Sequence, residues 1–263
     1  MRRSTFILLF ALILATLLSV LTNADIRTAS IFYQVGKRFP IGDLQPWKFL
    51  YFYGVYPAYA MGGAAAICFV VGFVRPSLTR YRRQALFVVL LLIIAPGILT
   101  NAIFKDHWGR PRPQQVDMFG GSMAFHQPWQ PGPAPKNASF PAGHPTAAFY
   151  LSAPYFILRE KKRRQAMIWL WGGIFYGIAM GMARIIQGGH FVTDVIWSAG
   201  FVYLTAMILA SLMRLDIKPA FELVRKPQGF IDVAFGTEVG YAVRLVSGKG
   251  CPAALVVHQK DML

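Results

Sequence analysis

Three short polar segments hold residues whose types and spacing could do chemistry: Lys105 to Pro113 (KDHWGRPRP), Phe140 to Pro145 (FPAGHP) and Ala183 to Asp194 (ARIIQGGHFVTD). The residues in them whose spacing suits one site are two histidines, His144 and His190, three cations, Lys105, Arg112 and Arg184, and the carboxylate Asp194, with Asp106, His107 and Arg110 interleaved. That set suits an anion that is held and attacked, and phosphate is the common biological case.

His190 and Asp194 stand four residues apart at the start of an apolar helix, so they share one face, where the carboxylate can orient the imidazole and raise its basicity. A histidine held in that way is a competent nucleophile; standing alone, the pair would also fit an interfacial histidine beside a helix-start aspartate. Arg184 ends the preceding apolar run, and Gly188 and Gly189 allow backbone to approach a ligand closely. An anion there would also meet the positive end of a helix. His144 precedes Pro145, a residue suited to the first helical position, and can serve as a general acid toward a leaving oxygen. Lys105 and Arg112 combine a flexible point charge with a planar fork that can reach one anion. The interleaved Asp106, His107, Trp108 and Arg110 read as interfacial anchors and local salt pairs.

The elements that must position these segments are membrane spans. Hydrophobic residues make up 55% of the 263-residue chain, and six apolar runs stand out: Phe6–Leu21, Tyr51–Val74, Ala85–Phe104, His144–Leu158, Ala166–Met182 and Val192–Met213. The first could be a signal peptide cut near Ala24; an uncleaved anchor is the favoured reading. The net charge of +16 gathers in short clusters between these runs, notably Arg75 to Arg83 and Arg159 to Arg164, which the positive-inside rule assigns to the cytoplasm. That pattern argues against nucleic acid as a partner. It also puts residues 105–143 and 183–191 together on the opposite, non-cytoplasmic side. Gly173, Gly177 and Gly181 form a small-residue stripe for close helix packing, within the chain by preference. Cys68 and Cys251 support neither a disulfide framework nor a metal site. The expected organisation is a first span with a periplasmic loop (1–48), a membrane core (49–213) and a cytoplasmic tail without an assigned role (214–263). The fold class is an all-α polytopic helix bundle of about six transmembrane helices.

The three segments together resemble the tripartite signature of the type-2 phosphatidic acid phosphatase superfamily, which includes vanadium haloperoxidases and bacterial acid phosphatases. Lys105, Arg112 and Pro113 fit its first part, Pro141, Gly143 and His144 its second, and Arg184, His190 and Asp194 its third. Ala142 and Ala183 stand where the family has serines. The serine missing at 142 would donate a hydrogen bond to phosphate, and its loss costs about 1 to 3 kcal/mol of transition-state binding. The resemblance spans roughly 49–213. It implies that His190 attacks phosphorus to give a phosphohistidine, with Asp194 orienting it and His144 protonating the leaving group. It further implies that Lys105, Arg112, Arg184 and Gly143 hold the phosphate. No metal or other cofactor is expected, because the surrounding cations oppose a metal ion.

The implied activity is that of a lipid phosphatase of the bacterial inner membrane, with the bilayer delivering its substrate to a periplasm-facing site. The segment NAIFKDHWGRPRP, the glycine pair at 120–121 and the proline-rich stretch Gln127–Pro135 are similar to bacterial lipid A phosphatases. Undecaprenyl pyrophosphate, phosphatidylglycerophosphate and a lipid phosphotransferase reaction fit the same residues. A non-catalytic lipid-binding protein or an anion transporter is the alternative from a different class.

Overall fold

The computed structural model describes residues 2–134 and 138–215, together with the backbone of four strands further along at 221–225, 230–235, 241–246 and 254–259. Through residue 213 the apolar runs are helical: α1 (Arg2–Leu21), α2 (Ala24–Phe32), α3 (Trp47–Tyr53), α4 (Tyr56–Val71), α5 (Pro76–Thr79), α6 (Arg82–Leu92), α7 (Gly143–Phe149), α8 (Ala153–Leu158), α9 (Arg163–Ile186) and α10 (Val192–Leu212). This is an all-α polytopic bundle. Among the described residues five stretches are long and apolar enough to cross a bilayer, namely Ser4–Leu21, Trp47–Val71, Arg82–Lys105, Arg163–Ile186 and Val192–Leu212.

The remaining apolar run, expected as the fourth span, is α7 and α8 joined by a 3-10 turn at Tyr150–Ser152. At 1.5 Å per residue, Gly143 to Leu158 reaches about 24 Å, short of the roughly 30 Å hydrocarbon core. It lies inside the bundle against α9, α10 and the end of the third long helix, and Pro145 to Tyr150 are all buried. His144 is thus carried on a central helix rather than a lipid-facing one.

Two local features shape the helices around it. Pro96 sits inside the continuation of α6, and without an N–H it cannot support α-helical pairing there. From Ile93 to Lys105 the helix is π-type, and the Pro96 carbonyl accepts a side-chain hydrogen bond from Asn101 Nδ2 at 2.7 Å. The glycine stripe of α9 faces its own chain: a Cβ on Gly177 would stand 2.2 Å from the Phe149 ring, one on Gly173 2.6 Å from the Ser152 nitrogen, and one on Gly181 2.5 Å from Val195 Cγ1.

The N-terminal helix belongs to the same body. Leu12 of α1 packs over Gly200 of α10, and Trp197 Nε1 donates to Thr16 Oγ1 at 3.1 Å. Beyond α1 the chain turns into α2, which joins the loops at 33–39 and 116–125 in a small apolar cluster of Ala29, Phe39, Val116, Phe119 and Phe191. This cluster closes the end of the bundle where the polar segments emerge. Residues 214–263 form a separate unit. Its four strands, Phe221–Arg225, Phe230–Phe235, Tyr241–Val246 and Ala254–Gln259, pair antiparallel in sequence order. The sequence offers short apolar runs there, no span-length stretch and no role, and Cys251 lies outside the described residues.

Candidate active site

His190 follows the turn at Gln187–Gly189 that ends α9, and Asp194 lies in the first turn of α10. The imidazole is 1% exposed and the carboxylate fully buried. His190 Nδ1 lies 2.6 Å from the Ser139 carbonyl oxygen. Burial, followed by the nearby charges of Arg184 and Arg112, pushes the His190 pKa down to about 3 against the pull of Asp194, so the ring is neutral at physiological pH. A neutral ring facing a carbonyl carries its proton on Nδ1, which donates to Ser139, and leaves Nε2 as the lone-pair nitrogen. Asp194 Oδ2 stands 3.6 Å from Nδ1, beyond hydrogen-bond reach. That oxygen accepts instead from the Ser139 hydroxyl at 2.5 Å and from the Phe191 backbone N–H at 2.8 Å. Ser139 therefore links the carboxylate to the imidazole, with its hydroxyl on one and its carbonyl on the other.

The three cations gather beside this pair. Lys105 ends the π-type helix, and its Nζ would be 3.2 Å from a Cβ on Gly143, so the glycine leaves room for the ammonium at the α7 entrance. Lys105, Arg112 and Arg184 are close enough to repel one another. Burial lowers the Arg112 pKa, while Tyr51 and Asp194 favour its charge. Arg184 Nη1 donates to Gln187 Oε1, and Gln187 Nε2 donates onward to the Gly42 and Trp47 carbonyls. Arg184 Nε is buried and makes no hydrogen bond within the protein, which leaves a donor for an acceptor from outside.

Tyr51 of α3 covers the site from the side. Its ring stacks on His144 with centroids 5.1 Å apart and planes at 18°, and the Arg184 guanidinium lies over the same ring at 4.5 Å. The charges of Arg184, Lys105 and Arg112 all act on His144. All seven residues expected from sequence, His190, His144, Asp194, Lys105, Arg112, Arg184 and Gly143, thus meet at one end of the bundle.

Three expectations about local detail are refined. The glycine pair brings backbone close to protein groups: a Cβ on Gly189 would stand 2.5 Å from Arg184 Nη2, and one on Gly188 2.3 Å from the Phe39 ring. Ala142 is fully buried, its carbonyl accepting from the Thr146 and Ser198 hydroxyls, while the nearby Ser139 hydroxyl is turned to Asp194. Arg110, read from sequence as a local salt pair, is instead a fully buried long-range hub. Its Nη1 donates to Asp194 Oδ1 and its Nη2 to Asp25 Oδ2 at 2.8 Å. His107 and Trp108 do anchor locally, on the Ile103 and Pro128 carbonyls.

This geometry can be set against known proteins. Residues 84–218 match the PAP2 superfamily, a stretch that holds all seven site residues. The chain belongs to the PAP2 superfamily. It is 32% identical over 199 residues to a protein of Francisella tularensis subsp. novicida named lipid A 4'-phosphatase, covering 74% of this chain and 88% of that one. A protein of the same name from Rhizobium leguminosarum is 34% identical over 131 residues, covering 48% of this chain and 55% of its own length. No solved structure matches. The PAP2 chain is accordingly a phosphoric ester hydrolase of the membrane, which agrees with the sequence expectation.

Asp25, Tyr51, Ser139 and Gln187 of this PAP2 site drew no notice in the sequence. Asp25 and Tyr51 precede the matched stretch, whereas Gln187 lies one helical turn after Arg184 and Ser139 directly before the Phe140–Pro145 segment.

Proposed function

We propose that this protein removes a phosphate from a membrane lipid at the periplasmic face of the bacterial inner membrane, with lipid A as substrate and His190 as nucleophile. The observation that carries the reading is the buried His190, with Nδ1 on the Ser139 carbonyl and Nε2 thereby left to act as nucleophile, beside three cations from two of the polar segments. The name shared by the Francisella and Rhizobium relatives favours lipid A among lipid phosphates.

In this scheme Nε2 attacks phosphorus as the bond from phosphorus to the lipid oxygen breaks. His144, whose pKa is lowered to about 4 by burial and the cations, takes up a proton when the negatively charged phosphate binds beside it. It gives that proton to the leaving oxygen, ending neutral, and the product is a phosphohistidine. Water then attacks phosphorus, breaking the N–P bond and releasing inorganic phosphate, with His144 taking up the proton. Phosphoryl transfer leaves the protein mainly positioning and charge stabilisation, which Lys105, Arg112 and Arg184 supply. The arginine fork and the free Arg184 Nε suit the equatorial oxygens. Among the described residues no group of three or more histidine, cysteine or acidic side chains is arranged to hold a metal, and the scheme uses none.

The test is phosphate release by the detergent-purified protein from lipid A, undecaprenyl pyrophosphate, phosphatidylglycerophosphate and phosphatidic acid, with and without chelator. Chelator-insensitive release from lipid A, abolished in His190→Ala, is expected. Release from another lipid alone would reassign the substrate. A reporter fused after Arg164 should report the cytoplasm, and a periplasmic signal there would reverse the membrane orientation.

A further inference from the structure

The groups that hold Asp194 in place include one from outside the PAP2 stretch. Asp25 of α2 is 4% exposed and Arg110 fully buried, an arrangement found where buried charges are paired. Asp25 Oδ2 accepts from Arg110 Nη2 at 2.8 Å and from the Thr193 hydroxyl at 2.6 Å, and Asp25 Oδ1 accepts from the Thr193 backbone N–H at 2.9 Å. Arg110 Nη1 reaches Asp194 Oδ1 and the Thr193 hydroxyl, and its Nε donates to the His126 carbonyl at 2.9 Å. Its guanidinium also lies 4.7 Å over the Phe191 ring. Every nitrogen of the fork therefore has a partner, and the fork cannot turn without releasing one carboxylate.

We propose that Asp25 and Arg110 are positioning residues of the phosphatase site, holding the Asp194 carboxylate in the orientation that lets Ser139 fix the His190 ring. Arg110 takes one oxygen of Asp194, and the Ser139 hydroxyl and Phe191 N–H take the other. Asp25 fixes Arg110 from the opposite side and clamps Thr193, the residue next to Asp194, through backbone and hydroxyl. The helix that follows the N-terminal anchor thereby becomes part of the catalytic apparatus, and the superfamily stretch alone is incomplete. A purely structural role for α2 is distinct from this, since the apolar cluster around Ala29 and Phe39 already docks it.

The proposal rests on His190 being the nucleophile, and the experiment separates the two. In the full-length protein, Asp25→Asn keeps the side-chain shape but loses the charge and one acceptor, and Arg110→Lys keeps the charge but loses the fork. Each should lower kcat on the lipid substrate by about 10- to 100-fold, the usual scale for groups that orient an active-site residue. KM should change by less than about threefold, because the phosphate-holding cations are untouched. In an Asp194→Asn background, Asp25→Asn should cost almost nothing more, since both act through one carboxylate.

A folded Asp25→Asn protein with normal kcat would overturn the proposal. So would an equal loss in the Asp194→Asn background, or a rise in KM at unchanged kcat. If neither variant folds, the network belongs to folding and the proposal also fails. His190→Ala in the same assay tests the underlying reading: retained activity there removes the nucleophile, whereas an inactive His190→Ala beside a normal Asp25→Asn removes only the positioning role.

Discussion

Gly189→Ala gives a sharp test of whether Arg184 holds the phosphoryl group, because the substitution acts on that guanidinium and on little else. The new Cβ would stand 2.5 Å from Arg184 Nη2 and 3.0 Å from Cζ. Ordinary van der Waals contact begins near 3.4 Å, so 3.4 minus 2.5 requires the nitrogen to move by 0.9 Å. The obstacle is the far end of a flexible side chain, so the fold should survive. The guanidinium, however, is held between Gln187 and the Tyr51 ring, and moving it breaks that placement. A misplacement of about 1 Å in a group that stabilises the transition state costs about 100-fold in rate, or about 2.7 kcal/mol. Steady-state phosphate release gives kcat, and thermal melting in detergent gives the fold. Gly188→Ala is the control. Its φ of +63° and the Phe39 ring 2.3 Å from the added Cβ make it a stability lesion, so it should lower Tm. A folded Gly189→Ala protein with kcat within about twofold of the parent would refute the role assigned to Arg184.

Two further outcomes follow from the same geometry. Tyr51→Phe keeps the ring that meets both His144 and Arg184 and should retain most of its kcat, whereas Tyr51→Ala loses the stack and the cation–π contact and should fall about tenfold; equal effects of the two would shift the role to the hydroxyl. His190 has its pKa lowered from 6.5 to about 3 in the fold, so between those values the unfolded chain binds a proton that the folded chain does not, and stability falls as pH drops through 6.5. At pH 5 the penalty is about 2 kcal/mol, and the parent should lose Tm faster than His190→Gln between pH 7 and 5. Parallel melting curves would contradict the buried neutral ring.

How much of this was legible in the sequence depends on the range of each interaction. The six apolar runs and the three segments that carry the candidate residues were readable because span length and signature spacing are local patterns, and the helices bring those segments to one end of the bundle. The fourth run was readable as apolar, but its central burial follows from packing against the α9 glycine stripe, while its break at Tyr150–Ser152 falls where Pro154 opens α8. Arg110 stood in plain view, yet its partners lie 84 and 85 residues away, and a lone arginine next to a membrane span reads more simply as an interfacial charge. Ser139 is 55 residues from Asp194 and lies just outside the motif that names His144. Asp25 and Tyr51 come from helices before the superfamily stretch, where no periodicity points across the bundle. The strands beyond residue 220 consist of runs of five or six residues, too short to stand out beside the membrane helices.

The central claim is covalent, so its most direct measurement is to trap the intermediate. The purified enzyme would be mixed with lipid A carrying a radiolabelled phosphate, quenched in alkali within milliseconds and mapped by proteolysis. The account predicts label on the peptide that holds His190, stable to alkali and lost in acid as a phosphorus–nitrogen bond should be. His144→Ala should still take up a trace of label slowly, and His190→Ala none. Label on any other side chain, or undiminished turnover by His190→Ala, would contradict it.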